Sequence, residues 1–238
     1  LNHQYSFKLE NGETKTVNLP FVLEIESNWE KIRALTFWTK EPETIYWIGD
    51  FDGEKPITFW DIGANIGVYS LFCACVHPNA NIYAFEPQST NFLRLLANIH
   101  INGFGNQISP QFMALSNKNG FQEFTIANPE FGASGGQLDA IEGSEKYEVP
   151  VFTGDGFAEM TGIYPDYVKI DVDGNELNIL NGMVNVLKSV KGILVEVNDT
   201  AVSDFMDAIG FIPDRRFNLL RGAGWKRNSN TNLIFKRG

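Results

Sequence analysis

The stretch that most limits how this chain can fold is ITFWDIGANIGV, residues 57 to 68. Ile57, Phe59 and Trp60 form an apolar run of strand length, and Asp61, Gly63, Ala64, Asn65 and Gly67 are the small or polar residues of a tight turn. Val68, Tyr69, Leu71, Phe72, Cys75 and Val76 then recur at helical spacing. A buried strand entering a helix through such a turn presents backbone N–H groups, and a ligand approaches closely where glycine has no side chain. A cofactor seat is therefore expected at this turn.

The rest of the chain repeats the alternation. NIYAF (81–85) is a second strand stopped by Glu86-Pro87, and a helix over 91–101 with Phe92, Leu95, Leu96 and Ile99 on one stripe ends at Asn102-Gly103. SPQFMAL leads as a strand to Ser116, and after the turn at 117–120 FQEFTIA resumes strand character. YVKIDV (167–172) is a buried strand whose end opens a helix at Asp173-Gly174-Asn175-Glu176, and GILVEV (192–197) is the next. A helix over 199–209, a weak strand in FIPDRRF and a last strand in TNLIFK complete the pattern. Strands alternating with helices imply right-handed crossovers and a mostly parallel sheet, hence an α/β fold. FGASGG (131–136) reads as the most flexible stretch. Ahead of the first buried strand, residues 5–23 alternate around Asn11-Gly12 as a hairpin with a two-residue turn, and residues 28–48 read as short helices broken near Pro42. The expected division is an extension over residues 1–55, packed on a core domain over 56–238.

Charge narrows the function. The 29 acidic residues exceed the 19 Lys plus Arg, giving a net charge of −10, so nothing draws nucleic acid electrostatically. No apolar run reaches the roughly 20 residues that span a bilayer, and no basic-then-apolar pattern opens the sequence as given, so a soluble chain is expected. Cys73 and Cys75 lie two apart on a helix and point in different directions, so they read as packing residues in a reducing, cytoplasmic setting. His3, His77 and His100 have no metal-ligand spacing.

Asp61, Glu86, Ser116 and Asp171 all stand at strand ends, where open α/β sheets bind their ligands. Glu86 follows Gly63 by 23 residues, close to the roughly 20 at which an acidic side chain accepts hydrogen bonds from ribose hydroxyls. A nicotinamide cofactor would use the same architecture, but its Gly-x-Gly-x-x-Gly spacing is absent and Asp61 would repel a pyrophosphate. An acidic turn suits a cationic ligand with a ribose and no phosphate, as S-adenosylmethionine is. A nicotinamide-dependent oxidoreductase and a non-catalytic Rossmann-like binding module remain the alternatives.

DIGANIGVYSLFCA, FEPQSTNFLRLLANIHIN, ALSNKNG and VKIDVDGNELNILNG followed by ILVEV resemble, in unbroken order over residues 57–197, the FkbM family of S-adenosylmethionine-dependent methyltransferases. The resemblance implies a Rossmann-like class I methyltransferase domain, a seven-stranded sheet with its last strand antiparallel, and O-methylation of a hydroxyl on a sugar, glycan or secondary metabolite. It assigns Asp61, Gly63, Ala64, Asn65 and Gly67 to the methionine portion of the cofactor, Glu86 to the ribose, and Leu115 and Ser116 to the adenine. TGDGF (153–157) departs from the family's Thr-Leu-Asp pattern, with Gly154 weakening a strand there and Asp155 in the place of the aspartate.

Methyl transfer to a hydroxyl requires alignment, exclusion of water and a proton acceptor. Asp171 and Asp173 share a strand face, and Glu176 lies one helical turn beyond Asp173, so these three carboxylates are the catalytic candidates. Such a cluster acts as a general base or gathers a hard divalent cation; the metal is the less favoured reading. Lys169 is expected on a solvated strand edge. FGASGG and the helical preamble are candidates for a lid, with Ser134 as a polar contact. The basic residues Arg215, Arg216, Arg221, Lys226 and Arg227 read as a solvated face, or as a surface for an anionic acceptor.

Overall fold

The computed structural model describes residues 2–9, 11–139, 145–197, 200–218 and 231–238. Arg221, Lys226 and Arg227 lie outside the described residues. The chain opens with a hairpin, β1 (His3–Lys8) and β2 (Thr14–Leu19), and two helices, α1 (Asn28–Thr36) and α2 (Pro42–Gly49). Strand β3 (Thr58–Ile62), helix α3 (Val68–Val76), strand β4 (Asn81–Phe85), helix α4 (Ser89–Asn102) and strand β5 (Ile108–Gln111) follow. Next come β6 (Ala114–Leu115), β7 (Gly120–Ile126), β8 (Gln137–Leu138), β9 (Glu145–Phe152) and helix α5 (Gly154–Thr161). The last part holds β10 (Tyr167–Ile170), α6 (Glu176–Asn181), β11 (Gly192–Val197), α7 (Thr200–Ala208), β12 (Phe211–Pro213), α8 (Arg215–Asn218) and β13 (Thr231–Arg237).

The main sheet has seven strands in the order β12-β13-β11-β10-β3-β4-β5. Strands β11, β10, β3, β4 and β5 pair in parallel, and β13 is antiparallel to both of its neighbours, β11 and β12. Alternation along β3 explains the two-sided core: Phe59 joins the apolar cluster on one face and Trp60 that on the other. Helices α3 and α4 cover the first face with Leu71, Phe72, Leu95 and Ile99, and α5, α6 and α7 cover the second with Phe157, Ile179, Val202 and Met206. This is the expected Rossmann-like sheet. Because the chain runs outward from β3 through β4 to β5 and later returns to β10 on the other side of β3, the strand order reverses between β3 and β10. The carboxyl ends of these two strands frame the crevice.

FQEFTIA is a strand, as expected, and as β7 it belongs to a separate four-stranded sheet, β6-β9-β7-β8. Two local readings are corrected. TGDGF is the start of α5, because the Thr153 hydroxyl accepts the Gly156 N–H at 2.9 Å and caps the helix. A Cβ at Gly154 would lie 2.6 Å from that of Met183, so the glycine there permits helix packing. Asp155 receives the N–H groups of Asn185 and Val186 at 3.0 and 2.8 Å, a supporting contact beside the 3-10 turn at Val186–Lys188. At the N-terminal hairpin, Lys8 pairs with Thr14, so the connection spans residues 9–13 and is longer than a two-residue turn.

The N-terminal elements share the core of the sheet. Val17, Leu19, Phe21 and Phe37 belong to the same cluster as Leu71 and Phe72 of α3. Arg94 of α4 anchors them electrostatically: it is 4% exposed, pairs with Glu24, with Glu26 at 3.0 Å and with Glu30 at 2.6 Å, and lies over the Phe131 ring. Glu30 has no exposure and also accepts the N–H groups of Glu26 and Ser27 in a capping box on α1. Removing the cation leaves a buried carboxylate unpaired, so Arg94→Met is expected to cost about 3–5 kcal/mol in urea unfolding. A loss below about 1 kcal/mol, the scale of a surface pair, would show that Arg94 does not hold the extension to the core.

Candidate active site

A cavity of about 310 Å³ opens where β3, β4 and β10 end, in the range of small-ligand sites. Its floor is the turn after β3. Gly63 has φ +79°, and a Cβ there would stand 2.0 Å from the Asp171 carbonyl oxygen, so only glycine lets the turn lie against the end of β10. The N–H groups of Gly63 and Ala64 both donate to the Phe85 carbonyl at 3.0 Å, and that of Gly67 donates to Ala64 at 2.9 Å. Those of Asn65 and Ile66 go to the Glu86 carboxylate and to the Asn65 side chain, at 2.7 and 2.9 Å. The turn therefore spends its N–H groups internally, and the expectation that it presents them to a ligand is corrected. Gly67 lies under Leu95 at the start of α3 and is not part of the cavity wall, whereas Gly63, Ala64 and Asn65 are.

Glu86 stands at the end of β4 on the cavity wall. Its second oxygen accepts the Gln88 N–H at 2.8 Å. Burial pushes its pKa up to about 7, against the lowering effect of the two N–H bonds. A carboxylate has about four acceptor positions, so two remain for a ligand's hydroxyls. Beside it, Met113, Leu115 and Phe124 make an apolar slot. Ser116 is turned away: its N–H donates to Phe152 at 2.9 Å, and it borders a separate depression with Asn117 and Asn178.

The opposite end is charged. Asp61, without exposure, lies beneath the cavity wall and not on it. One oxygen accepts the Ser70 hydroxyl at 2.6 Å, and the other lies 3.3 Å from the Lys169 ammonium. Lys169 overturns its assignment to a solvated edge. It is 1% exposed, because parallel register sets it directly beside Asp61, and its ammonium also reaches Asp171 at 3.0 Å. Burial works against the charged lysine, but Asp171 and Asp61 outweigh it and hold its pKa above the ordinary range. Burial likewise opposes the Asp171 carboxylate, and Lys169 outweighs it and holds the pKa below the ordinary value. The lysine is thus an internal counterion that keeps Asp171 ionised on the cavity wall.

Of the other two carboxylates, Asp173 lines the cavity and accepts the Gly135 N–H at 2.7 Å. Glu176 is buried at the start of α6, outside the cavity wall, where it accepts the Gly174 N–H at 3.2 Å; burial raises its pKa. Sequence reasoning missed Glu196, which follows Val195 on β11; Val195 pairs with Ile170, so Glu196 falls beside Asp171. It lines the cavity, and burial together with the charges of Asp171, Glu176, Asp173 and Glu41 pushes its pKa up to about 7. Its signal was present in GILVEV, a lone acid ending a buried strand. Among the described residues there is no cluster of His, Cys, Asp and Glu able to hold a metal ion.

FGASGG is tied down, against its reading as the most flexible stretch. The Ala133 carbonyl accepts the side-chain amides of Asn65 and Asn91 at 2.8 and 2.9 Å, and the Gly132 N–H returns to Asn91 at 2.7 Å. Ser27 and Arg33 of the N-terminal region donate to the Phe131 and Gly132 carbonyls, both at 2.6 Å. The segment is a strap across the cavity with Ser134 and Gly135 on its wall, and Arg33 and Lys40 line the same wall from the extension.

An apolar slot, a carboxyl with spare acceptor positions and a carboxylate wall suit a nucleoside carrying a cationic arm, and thus fit S-adenosylmethionine. Comparison with known proteins gives the same class. Residues 61–219 match the Methyltransferase FkbM domain. The hexuronic acid methyltransferase AglP of Haloferax volcanii is 29% identical over 199 residues, spanning 78% of this chain and 77% of that protein. The crystal structure of a SAM-dependent methyltransferase from Agrobacterium tumefaciens superposes with a TM-score of 0.51 at 11% identity, covering all of this chain and 70% of that one, and so shares the fold. The family match decides against the nicotinamide alternative, and the chain belongs to the FkbM family of methyltransferases.

Proposed function

We propose that the chain transfers a methyl group from S-adenosylmethionine to a hydroxyl of a sugar or glycan. The observation that carries this reading is the polarity of the cavity at the strand ends: Glu86 beside an apolar slot at one end, Asp171, Asp173 and Glu196 at the other. The name of AglP supports a sugar acid as the kind of acceptor. A net charge of −10 favours a small or glycan acceptor over nucleic acid, and two free cysteines favour a cytoplasmic, reducing setting. No helix among the described residues is long and apolar enough to cross a membrane.

In this reading Glu86 accepts the ribose hydroxyls, Leu115 packs on the adenine, and Gly63, Ala64 and Asn65 border the methionine arm. Asp61 acts through Lys169, keeping Asp171 charged; Asp171 and Asp173 steady the cationic arm, and Glu176 supports the loop that carries them. Gly67 and Ser116 belong to the scaffold of the site. The bound donor supplies an electrophilic methyl on a sulfonium that leaves as a neutral thioether. As the acceptor oxygen gains the methyl it must lose its proton, and Glu196 is the best-placed carboxyl to take it. It has no hydrogen-bond or ion-pair partner among the described residues, whereas Asp171 is committed to Lys169. A base with a pKa near the working pH is the efficient one.

Titration calorimetry with S-adenosylhomocysteine tests the donor site: the wild type is expected to bind, and Glu86→Ala to weaken binding by about 10-fold or more. Absence of binding by folded wild-type protein would sink the methyltransferase reading. A base works only when ionised, so kcat should fall as pH drops below about 7. Glu196→Gln should lower kcat by about 10²-fold or more and flatten that limb while leaving S-adenosylhomocysteine binding in place. An unchanged pH profile in the variant would remove Glu196 from the base role. Stability runs the other way. The folded-state pKa of Glu196 lies above its ordinary 4.5, so its contribution to folding is full below about 4.5 and lost as pH rises through about 7. Glu196→Gln is therefore expected to be more stable than wild type at pH 8, as measured by urea unfolding.

A further inference from the structure

The donor proposed above carries an α-carboxylate at the end of its methionine arm, and nothing in the turn is available to bind it. The N–H groups of residues 63–67 are all spent, on the Phe85 and Ala64 carbonyls, the Asn65 side chain and the Glu86 carboxylate. The acidic side chains on the wall, Glu86, Asp171, Asp173 and Glu196, repel an anion. Of the three cations on the wall, Lys169 is held by Asp61 and Asp171, and Lys40 by Glu41 at 2.8 Å. Arg33 makes no ion pair among the described residues; only its Nε is engaged, donating to the Gly132 carbonyl. That bond ties the guanidinium to the strap at the cavity wall and engages neither of its two terminal nitrogens.

We infer that Arg33, together with the strap that fixes it, binds the carboxylate of the donor's amino-acid arm, so that the N-terminal extension completes the cofactor site of the methyltransferase domain. Two features locate the guanidinium along the path of that arm. The Gly132 carbonyl it grips precedes Ala133, whose carbonyl is bonded to Asn65 of the turn. Its charge also acts on Glu86 at the ribose end and on Asp171 at the acidic end. A planar fork of donors matches a carboxylate, and the wall cation that has no ion pair among the described residues would order the arm: carboxylate toward α1, ammonium and sulfonium toward Asp171 and Asp173. The residue lies outside the matched family domain, which begins at 61. It also explains why helix α1, far from the strand ends in sequence, is bonded so closely to the strap.

The inference rests on S-adenosylmethionine being the donor, and a pair of ligands separates the two ideas. S-adenosylhomocysteine has the amino-acid arm; 5′-methylthioadenosine has the same adenosine and sulfur without it. Both are titrated calorimetrically into wild type, Arg33→Met and Arg33→Lys. Arg33→Met is expected to weaken S-adenosylhomocysteine by about 10- to 100-fold and methylthioadenosine by less than about 3-fold, with Arg33→Lys between the two because it keeps the charge and loses the fork. Equal weakening of both ligands would mean that Arg33 only props the strap and would overturn the assignment. Unchanged S-adenosylhomocysteine binding would overturn it as well; glucuronate titrated into the S-adenosylhomocysteine complex then tells whether the guanidinium serves an acidic acceptor instead. Wild-type protein that binds neither adenosine ligand refutes the donor itself, and Arg33's role with it.

Discussion

The buried ammonium of Lys169 is the interaction on which the site depends. Two carboxylates on adjacent strands, Asp61 and Asp171, point to the same face at the place where strand order reverses. Without a cation between them their repulsion in a medium of low polarity would favour protonation of one, and the cavity would lose its charged wall. Lysine at that register solves the problem from within the sheet. Contacts to Lys169 and the Ser70 hydroxyl offset the cost of taking these charges out of water, and the result is a carboxylate on the wall held below its ordinary pKa beside Glu196, whose pKa is pushed up to about 7. The carboxyl end of the sheet thus carries two acids whose pKa values are driven apart, as acid–base chemistry beside a cationic ligand requires.

A second network, centred on Arg94, sets what covers that edge. Arg94 gathers the acids of the N-terminal region, Asn98 of the same helix accepts the Glu24 N–H and donates to the Ile66 carbonyl, and Asn91 holds the strap. Helix α4 therefore links the extension, the glycine turn and the strap on one rigid element. A strap fastened at Phe131, Gly132, Ala133 and Gly135 shapes the cavity before a ligand arrives, which reduces the ordering that binding would otherwise require.

Much of the fold was legible in sequence because the main-sheet elements carry strong periodic signals. The strands NIYAF, YVKIDV and GILVEV, the helices after them, and the reversed final strand implied by the family resemblance all have counterparts in the sheet. Misreadings fell where a local signal was outweighed. Thr153 caps a helix where a strand was expected, since a hydroxyl that satisfies an orphan N–H outweighs the apolar run before it. Lys169 looked like an edge residue because alternation says which face a side chain takes but not what stands beside it on the next strand. FGASGG has the composition of a hinge, yet hydrogen bonds from four separate segments hold it.

By itself the sequence determined the elements, their order, the acidic character of the crevice and the glycine turn, because each follows from periodicity, charge or backbone sterics acting over a few residues. Only the tertiary structure decided where each of its carboxylates stands. Asp61 and Glu176 are internal supports, Asp171 and Asp173 reach the cavity wall, and Glu196 stands there without a partner among the described residues. Those differences arise from burial and from neighbours brought together across strands more than a hundred residues apart in the chain, as Asp61 and Lys169 are, and no local pattern encodes them.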